Sequence, residues 1–243
     1  MNIAVTGGDG VLGRALRDFL PDARYLSRAE CDVRSFDSVS RALEGVDTVI
    51  HAAAITDHQH PNAAELIETN VIGTRHVAEM CLAYGIRCVY LSTHYVYPGF
   101  GVAGGYKEWH ATKPIGAYAW SKLAGEYAVE GLSNVLVVRG SWYTHATRVA
   151  HWLRNGALTD AWCSREPVED AARKIAALAV SDVRGVVNIG GPRRSFHEIA
   201  RAMTGGDVRE TTRAELEHAL SLPYGFPVDC SVSTAKFDAL GLA

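Results

Sequence analysis

Short runs of consecutive apolar residues recur along the 243-residue chain, and most are followed by a stretch with helical spacing. The runs NIAVTG (2–7), ARYLS (23–27), DTVIHAAA (47–54), IRCVYLST (86–93), NVLVVRG (134–140) and GVVNIGG (185–191) read as six strands. They are continuously apolar rather than alternating, the pattern of strands covered on both faces. VLGRALRDFL (11–20), SFDSVSRALEG (35–45), AAELIETNVIGTRHVAEMCLAYG (63–85) and AWSKLAGEYAVEG (119–131) have helical spacing, and glycines close the last two. Alternating strands and helices predict an α/β fold with a doubly wound parallel sheet. The pieces after Trp142 are shorter. One domain is therefore expected over 1–142, and over 143–243 a mixed region with sheet-completing strand and a small substrate-binding part.

The first strand runs into TGGDGVLG, which spaces Gly7, Gly10 and Gly13 three apart and opens a helix with Val11 and Leu12. Such a turn serves three needs: a tight bend, close approach of backbone to a pyrophosphate, and close helix–strand packing. The helix start supplies free N–H groups for phosphate. The motif follows a strand and precedes a helix, so it predicts a Rossmann-type dinucleotide site. The second strand should end beside the adenosine ribose. There the chain reads YLSRAECD, and a small Ser27 followed by Arg28 favours NADP(H), with NADH the alternative. The alternative is that Arg28 is a solvated surface charge. Asp32 and Val33 are placed at the adenine edge.

Composition narrows the function classes. Hydrophobic residues make up 48% and charged residues 21%, so a core of ordinary size is available. A net charge of −3 gives no electrostatic case for nucleic acid or an anionic membrane. No apolar stretch is long enough to span a bilayer, and MNIAVTGG lacks a basic leader. The five cysteines are an odd number without a C-x-x-C pair, which fits reduced thiols and a cytoplasmic setting. Asp57, His58 and His60 lie close together in DHQH, but one H-x-H loop is a weak metal signature, and no metal is expected.

Two segments carry candidate chemistry. STHYVYPG (92–99) follows the fourth strand and offers Ser92, Thr93, His94 and Tyr95 at a strand end, where ligands bind in open α/β sheets. YAWSK puts Tyr118 and Lys122 four apart, on one face of a helix. A free tyrosine has a pKa of about 10, and a nearby ammonium favours its phenolate. The same lysine can hold a ribose hydroxyl.

The set TGGDGVLG, HAAA, NVIGT, ST-x-YV-x-PG, YAWSKLAGE and RGSW resembles the extended short-chain dehydrogenase/reductase superfamily. Within it the chain is most similar to the dTDP-4-dehydrorhamnose reductases and their sugar-nucleotide-binding relatives. GVVNIGGPRRSFHEIA and VSTAKFDALGL resemble that family's C-terminal segments, so the likeness covers most of the chain. It implies that Gly7, Gly10 and Gly13 cradle the pyrophosphate and that Ala52, Ala53 and Ala54 line the cofactor groove. It implies that Asn70 steadies Lys122, that Thr93 bonds the substrate carbonyl, and that Tyr118 is the proton donor with Lys122 its partner. Trp142 is placed near the sugar ring, although it also reads as core, and Asn70 as a helix-surface amide. The implied reaction is NADPH-dependent reduction of a keto group on a nucleotide-linked deoxysugar, with a homodimer plausible.

The chain departs from that family at two places. His94 stands where the reductases usually have aspartate, and the segment between RGSWYT and SREPVEDAARKIA is short. Dehydratases of this fold usually carry an Asp-Glu pair after the threonine, so His94 and Tyr95 argue against dehydration. An epimerase and a non-catalytic NADP-binding subunit stay open as alternatives, although the presence of both Tyr118 and Lys122 favours an enzyme. His94, Tyr95, Trp142 and Arg165, the last a candidate phosphate contact, are the expected substrate-side residues. GFGVAGG (99–105) is expected to be a mobile glycine-rich lid, tied down by Tyr106 and Glu108.

Overall fold

The structure is a computed structural model, and it describes residues 1–57, 60–144, 154–220 and 225–242. Six parallel strands form the central sheet in the spatial order β10-β5-β4-β3-β1-β2. They are β1 (Ile3–Thr6), β2 (Arg24–Leu26), β3 (Thr48–His51), β4 (Arg87–Thr93), β5 (Val135–Gly140) and β10 (Gly185–Asn188). The chain steps outward from β1 to β2, then returns to the other side of β1 for β3. That reversal of strand order opens a crevice at the carboxyl ends of the strands.

Both faces of the sheet are covered, which is why its strands lack alternation. On one face Val5, Ile50, Val89 and Leu136 pack under helices α1 (Val11–Leu16) and α6 (Val168–Ala179). On the other, Ala4, Val49, Cys88 and Val137 pack under α2 (Phe36–Ala42) and α4 (Gly73–Tyr84). The predicted first helix stops four residues early, at Leu16. Leu20 precedes Pro21, and a residue before proline is driven out of the helical region. The third predicted strand also ends early, at His51, so the three alanines after it leave the sheet.

The predicted helix over 63–85 is three pieces. Short α3 (Ala63–Leu66), capped by the Asn62 side chain, runs into a π-helical turn over Ile67–Ile72 before α4 begins. The extra residue in that turn changes which side chains face α5 (Ala117–Val129). Gly85 ends α4 in the left-handed conformation, as its place in the sequence predicts.

The C-terminal part contributes β10 to the main sheet and builds a smaller body from two-stranded pairs. In these, β6 (Trp142–Tyr143) pairs with β9 (Glu166–Pro167), β7 (Ala157–Leu158) with β12 (Glu210–Thr211), and β8 (Trp162–Cys163) with β11 (Arg194–Ser195). Helix α7 (Phe196–Thr204) begins with a reciprocal capping box between Ser195 and Glu198. Short helices α8 (Arg213–Leu220) and α9 (Ala235–Asp238) complete this part.

The glycine-rich loop over 99–105 is not the loose lid its composition suggested. Val228 and Asp229 both donate to the Gly99 carbonyl, at 2.8 and 2.9 Å. A Cβ on Gly105 would fall 2.6 Å from the Val232 carbonyl carbon. Gly99, Gly101 and Gly105 thus serve close approach to the chain near 227–233. Glu108 accepts a hydrogen bond from the Asn188 N–H at 2.9 Å and fastens the loop's far end to β10. All five cysteines are buried free thiols. Among the described residues no helix is long and apolar enough to cross a membrane.

Candidate active site

A cleft of about 300 Å³ opens at the carboxyl ends of β1, β4 and β5. Gly7, Gly10, Val11 and Leu12 form one wall, with Ala52 and Ala54 beside them. Gly7 has φ +69, and a Cβ there would sit 2.9 Å from the Ala53 nitrogen. A Cβ on Gly13 would lie 2.6 Å from the Gly8 carbonyl oxygen. Only glycine therefore lets this turn fold back on the chain after β3. The resulting cradle, rimmed by small alanines, fits the phosphates of a dinucleotide. Ser27 and Arg28 lie past the end of β2. Ser27 donates from both its N–H and its hydroxyl to Glu30, and the exposed Arg28 lies 3.9 Å from the Asp32 carboxylate. Arg34, which the sequence did not single out, pairs with Asp32 at 2.6 Å and holds that carboxyl down to about 2. The Val33 side chain is buried against Gly73 of α4, which leaves only its backbone for a cofactor.

Thr93, the last residue of β4, and Tyr118 and Lys122, on the first turns of α5, meet in the middle of the cleft. The Thr93 hydroxyl accepts the Tyr95 N–H at 3.3 Å, which starts the short 3₁₀ turn His94–Val96, and it also bonds the Tyr118 phenol. Burial pushes the phenol up to about 12, opposed by the Thr93 bond and the positive charge of Arg165. Burial drives the Lys122 ammonium down to about 7, opposed by the Glu126 carboxylate one turn on. The Lys122 Nζ lies 4.3 Å from the centre of the Tyr90 ring.

Several supporting groups were not singled out from the sequence. His51, at the end of β3, has its Nδ1 2.8 Å from the Thr6 hydroxyl and its Nε2 3.1 Å from that of Thr74. Thr74 donates to the Asn70 carbonyl, so it must accept from Nε2–H; Thr6 then donates to Nδ1 and accepts the Ala53 N–H. One neutral tautomer satisfies every member, and burial lowers the imidazole to about 3. A second buried group joins Glu126 to Arg139 at 2.6 Å, with Ser92 on the same carboxylate and the Tyr97 hydroxyl on Arg139. Tyr118, Lys122 and Glu126 stand at i, i+4 and i+8, so the spacing that exposed the first two also pointed to the third.

Two expected residues lie off the cleft wall. Asn70, expected to steady Lys122, is completely buried in the π turn and is not among the residues that line the cleft. Its amide takes the Ile55 N–H at 2.8 Å and donates to the Ile55 carbonyl and the Ser121 hydroxyl, both at 2.9 Å. It holds α5 in place through Ser121. His94, expected on the substrate side, points into the interior, fully buried and edge-on to the Tyr95 ring at 4.4 Å. Tyr95, Trp142 and Arg165 do line the cleft, and Tyr143 and Thr144, which no sequence motif marks, line it beside them. Of the DHQH group, His58 lies outside the described residues, and His60 sits 3.4 Å from Glu65.

A family model described as the RmlD substrate binding domain matches residues 1–182. The chain belongs to this family. A dTDP-4-dehydrorhamnose reductase of Mycobacterium tuberculosis (strain ATCC 25618 / H37Rv) is 35% identical over 210 residues, covering 76% of this chain and 68% of that protein. Another, from Streptomyces griseus, is 37% identical over 57% of this chain and 48% of its own length. The chain thus spans about half to two thirds of these curated relatives. Among solved structures, a dTDP-4-dehydrorhamnose reductase from Bacillus anthracis str. Ames, in complex with NADP, superposes with a TM-score of 0.86 at 24% identity. It covers 99% of this chain and 92% of that one, and it shares the fold. As a member of the RmlD family, the chain is an oxidoreductase of the extended short-chain dehydrogenase/reductase type.

Proposed function

We propose that this oxidoreductase is an NADPH-dependent reductase of a nucleotide-linked 4-keto-deoxysugar, close in activity to the dTDP-4-dehydrorhamnose reductases it resembles. The observation that carries this reading is the meeting of Thr93, Tyr118 and Lys122 in one cleft with the glycine turn. The hydride for the carbonyl carbon is what a bound NADPH supplies. Gly7, Gly10 and the start of α1 would hold its pyrophosphate, and Lys122 its nicotinamide ribose. Ser27 and Arg28, with Arg34 near them, favour a 2′-phosphate. The substrate ketone lies between the Thr93 and Tyr118 hydroxyls. Thr93 donates to the oxygen as negative charge gathers there, and Tyr118 passes its proton to that oxygen. Tyr95, Trp142 and Arg165 border the space left for the sugar and its phosphates.

The test is NADPH oxidation against a panel of nucleotide-linked 4-ketosugars, with Tyr118→Phe as control. Turnover with at least one ketosugar, lost in Tyr118→Phe while NADPH still binds, is the expected result. NADPH binding without reduction of any of them would instead favour a non-catalytic cofactor-binding protein.

A further inference from the structure

The donors that a ribose phosphate would seek are already engaged. The glycine turn is fastened to the end of β2: the Gly8 N–H donates to the Leu26 carbonyl at 2.8 Å, and a Cβ on Gly8 would fall 2.7 Å from the Tyr25 carbonyl carbon. Ser27, the next residue, therefore stands beside the phosphate cradle, at the strand end where a dinucleotide fold reads the adenosine ribose. Its N–H and its hydroxyl both donate to the Glu30 carboxylate, at 2.8 and 2.7 Å. A 2′-phosphate takes donors of this kind, a backbone N–H and a hydroxyl beside an arginine. Glu30 offers them the same partner, an anionic oxygen.

The chain turns back on itself to make this contact. The Cys31 N–H donates to the Ser27 carbonyl at 2.9 Å and closes a tight turn that brings Glu30 over Ser27. S-x-x-E is the spacing of a capping box, yet no helix follows here, and the next begins only at Phe36. The bonds from Ser27 hold the exposed Glu30 carboxyl below its usual value, so it is ionised at neutral pH. The two arginines nearby are engaged by the other acid of this turn: Asp32 takes Arg34 at 2.6 Å and lies 3.9 Å from Arg28. The two kinds of pairing differ in what they leave. A guanidinium has five N–H groups and keeps some for a phosphate, whereas Ser27 has one N–H and one O–H, both committed to Glu30. A ribose 2′-hydroxyl makes no such demand. It can donate to the Glu30 carboxylate where that group already stands.

We propose that Glu30 is a specificity-determining residue of the cofactor site: its carboxylate occupies the Ser27 donor pair in place of a 2′-phosphate, so NADPH binds by displacing it and NADH binds with it in place. The proposal rests on the cleft being a dinucleotide site whose ribose end lies at Ser27. It holds whichever cofactor serves in turnover. Arg28 and Arg34 favour the phosphorylated cofactor, Glu30 opposes them, and the preference between the two is narrowed.

Equilibrium titration of NADPH and of NADH into the full chain, without substrate, tests this. Glu30→Ala frees both Ser27 donors. It should lower the Kd for NADPH about fivefold or more, the order of one exposed charge interaction, and leave or raise that for NADH. Glu30→Gln keeps the shape and an acceptor oxygen but not the charge, and should show part of that gain. In a Ser27→Ala background the gain from Glu30→Ala should shrink by about twofold or more, because the two residues act as a pair.

An unchanged ratio of the two Kd values in Glu30→Ala overturns the proposal. So does an equal loss of both cofactors, which would make Glu30 a brace for the turn alone. A gain of the same size with and without the Ser27 hydroxyl would reduce Glu30 to plain charge repulsion and also overturn it. A wild type that binds NADH more tightly than NADPH, with the order reversed in Glu30→Ala, would uphold the proposal while removing NADPH from the function proposed above. A preference for NADPH that Glu30→Ala does not alter would leave that function standing and sink the inference.

Discussion

Tyr90 grips both ends of Lys122: its ring lies under the ammonium at 4.3 Å, and its hydroxyl donates to the Lys122 carbonyl at 3.1 Å. The lysine is thereby presented from beneath by a fully buried β4 side chain. An ammonium held this way, out of water, loses its proton near neutral pH, at about 7 in the cofactor-free protein.

That displacement is a statement about stability. The native lysine binds its proton less tightly than the unfolded one. Between about pH 7 and the ordinary lysine value, the unfolded chain therefore holds more protons, and stability rises with pH. Each unit of displacement is worth about 1.4 kcal/mol. Between about pH 7 and 8.5, below the range where buried thiols dominate, Tm of the wild type should climb relative to that of Lys122→Met. Parallel Tm curves for the two proteins would contradict the buried ammonium.

His51 should resist acid. Its hydrogen-bond ring admits only the neutral form with the proton on Nε2, and its native value lies near 3. Nitrogen chemical shifts of the imidazole should report that tautomer unchanged at pH 5. Because the unfolded histidine protonates first, this residue removes stability as pH falls from about 6.5 towards 3. An imidazolium signal in the folded protein at pH 5 would refute the network.

Gly13 has no room for a methyl group: a Cβ would meet two backbone oxygens of the turn, at 2.6 and 2.7 Å. Gly13→Ala should cost about 1–3 kcal/mol of stability, as overpacking does. It should also weaken NADPH binding at least about tenfold, since 1.4 kcal/mol is tenfold in affinity. Calorimetric titration and a denaturant curve check the two parts separately.

Arg28 stands in solvent and is only loosely engaged by Asp32, so it is free to take a ribose phosphate. Arg28→Ala should raise the Kd for NADPH about fivefold, the order of one exposed ion pair, and leave that for NADH unchanged. Equal effects on both cofactors would remove the case for a 2′-phosphate contact.

The Glu126–Arg139 pair joins α5 to β5 below the site. Arg139→Leu strands a buried carboxylate and should destabilise by about 3–5 kcal/mol. Glu126 also bonds Ser92, the residue before Thr93, so turnover should fall by more than the fraction unfolded. Urea unfolding with activity measured on the folded fraction separates the two.

The sheet and its reactive pair were legible because each rests on local pattern. Continuous apolar runs marked buried strands, and a spacing of four put Tyr118 and Lys122 on one helical face. The π turn was not legible. One extra residue inside a long helical stretch hardly disturbs its apolar spacing, and its cause is tertiary: the bonds of Asn70 to Ile55 and Ser121. His94 misled for a related reason. A polar residue after a strand looks like a ligand, but the 3₁₀ turn begun by the Thr93 hydroxyl rotates it inward. Glycines over 99–105 read as looseness, where the structure uses Gly99, Gly101 and Gly105 for contact, because one composition serves both ends. His51 left a usable signal, an imidazole closing an otherwise apolar strand.

The strand β10 returns to pair with β5, Gly185 beside Leu136. Everything between Gly140 and that return is an excursion whose two ends are clamped to neighbouring strands of one rigid sheet. The entropic cost of such a closed segment changes only slowly with its length, by about 0.6 kcal/mol per doubling. Shortening or recomposing the part of it that precedes α6 leaves α6 packed beside α1 on the sheet, and with it the glycine cradle. That stretch can therefore change its make-up while the cradle behind it stays as it is.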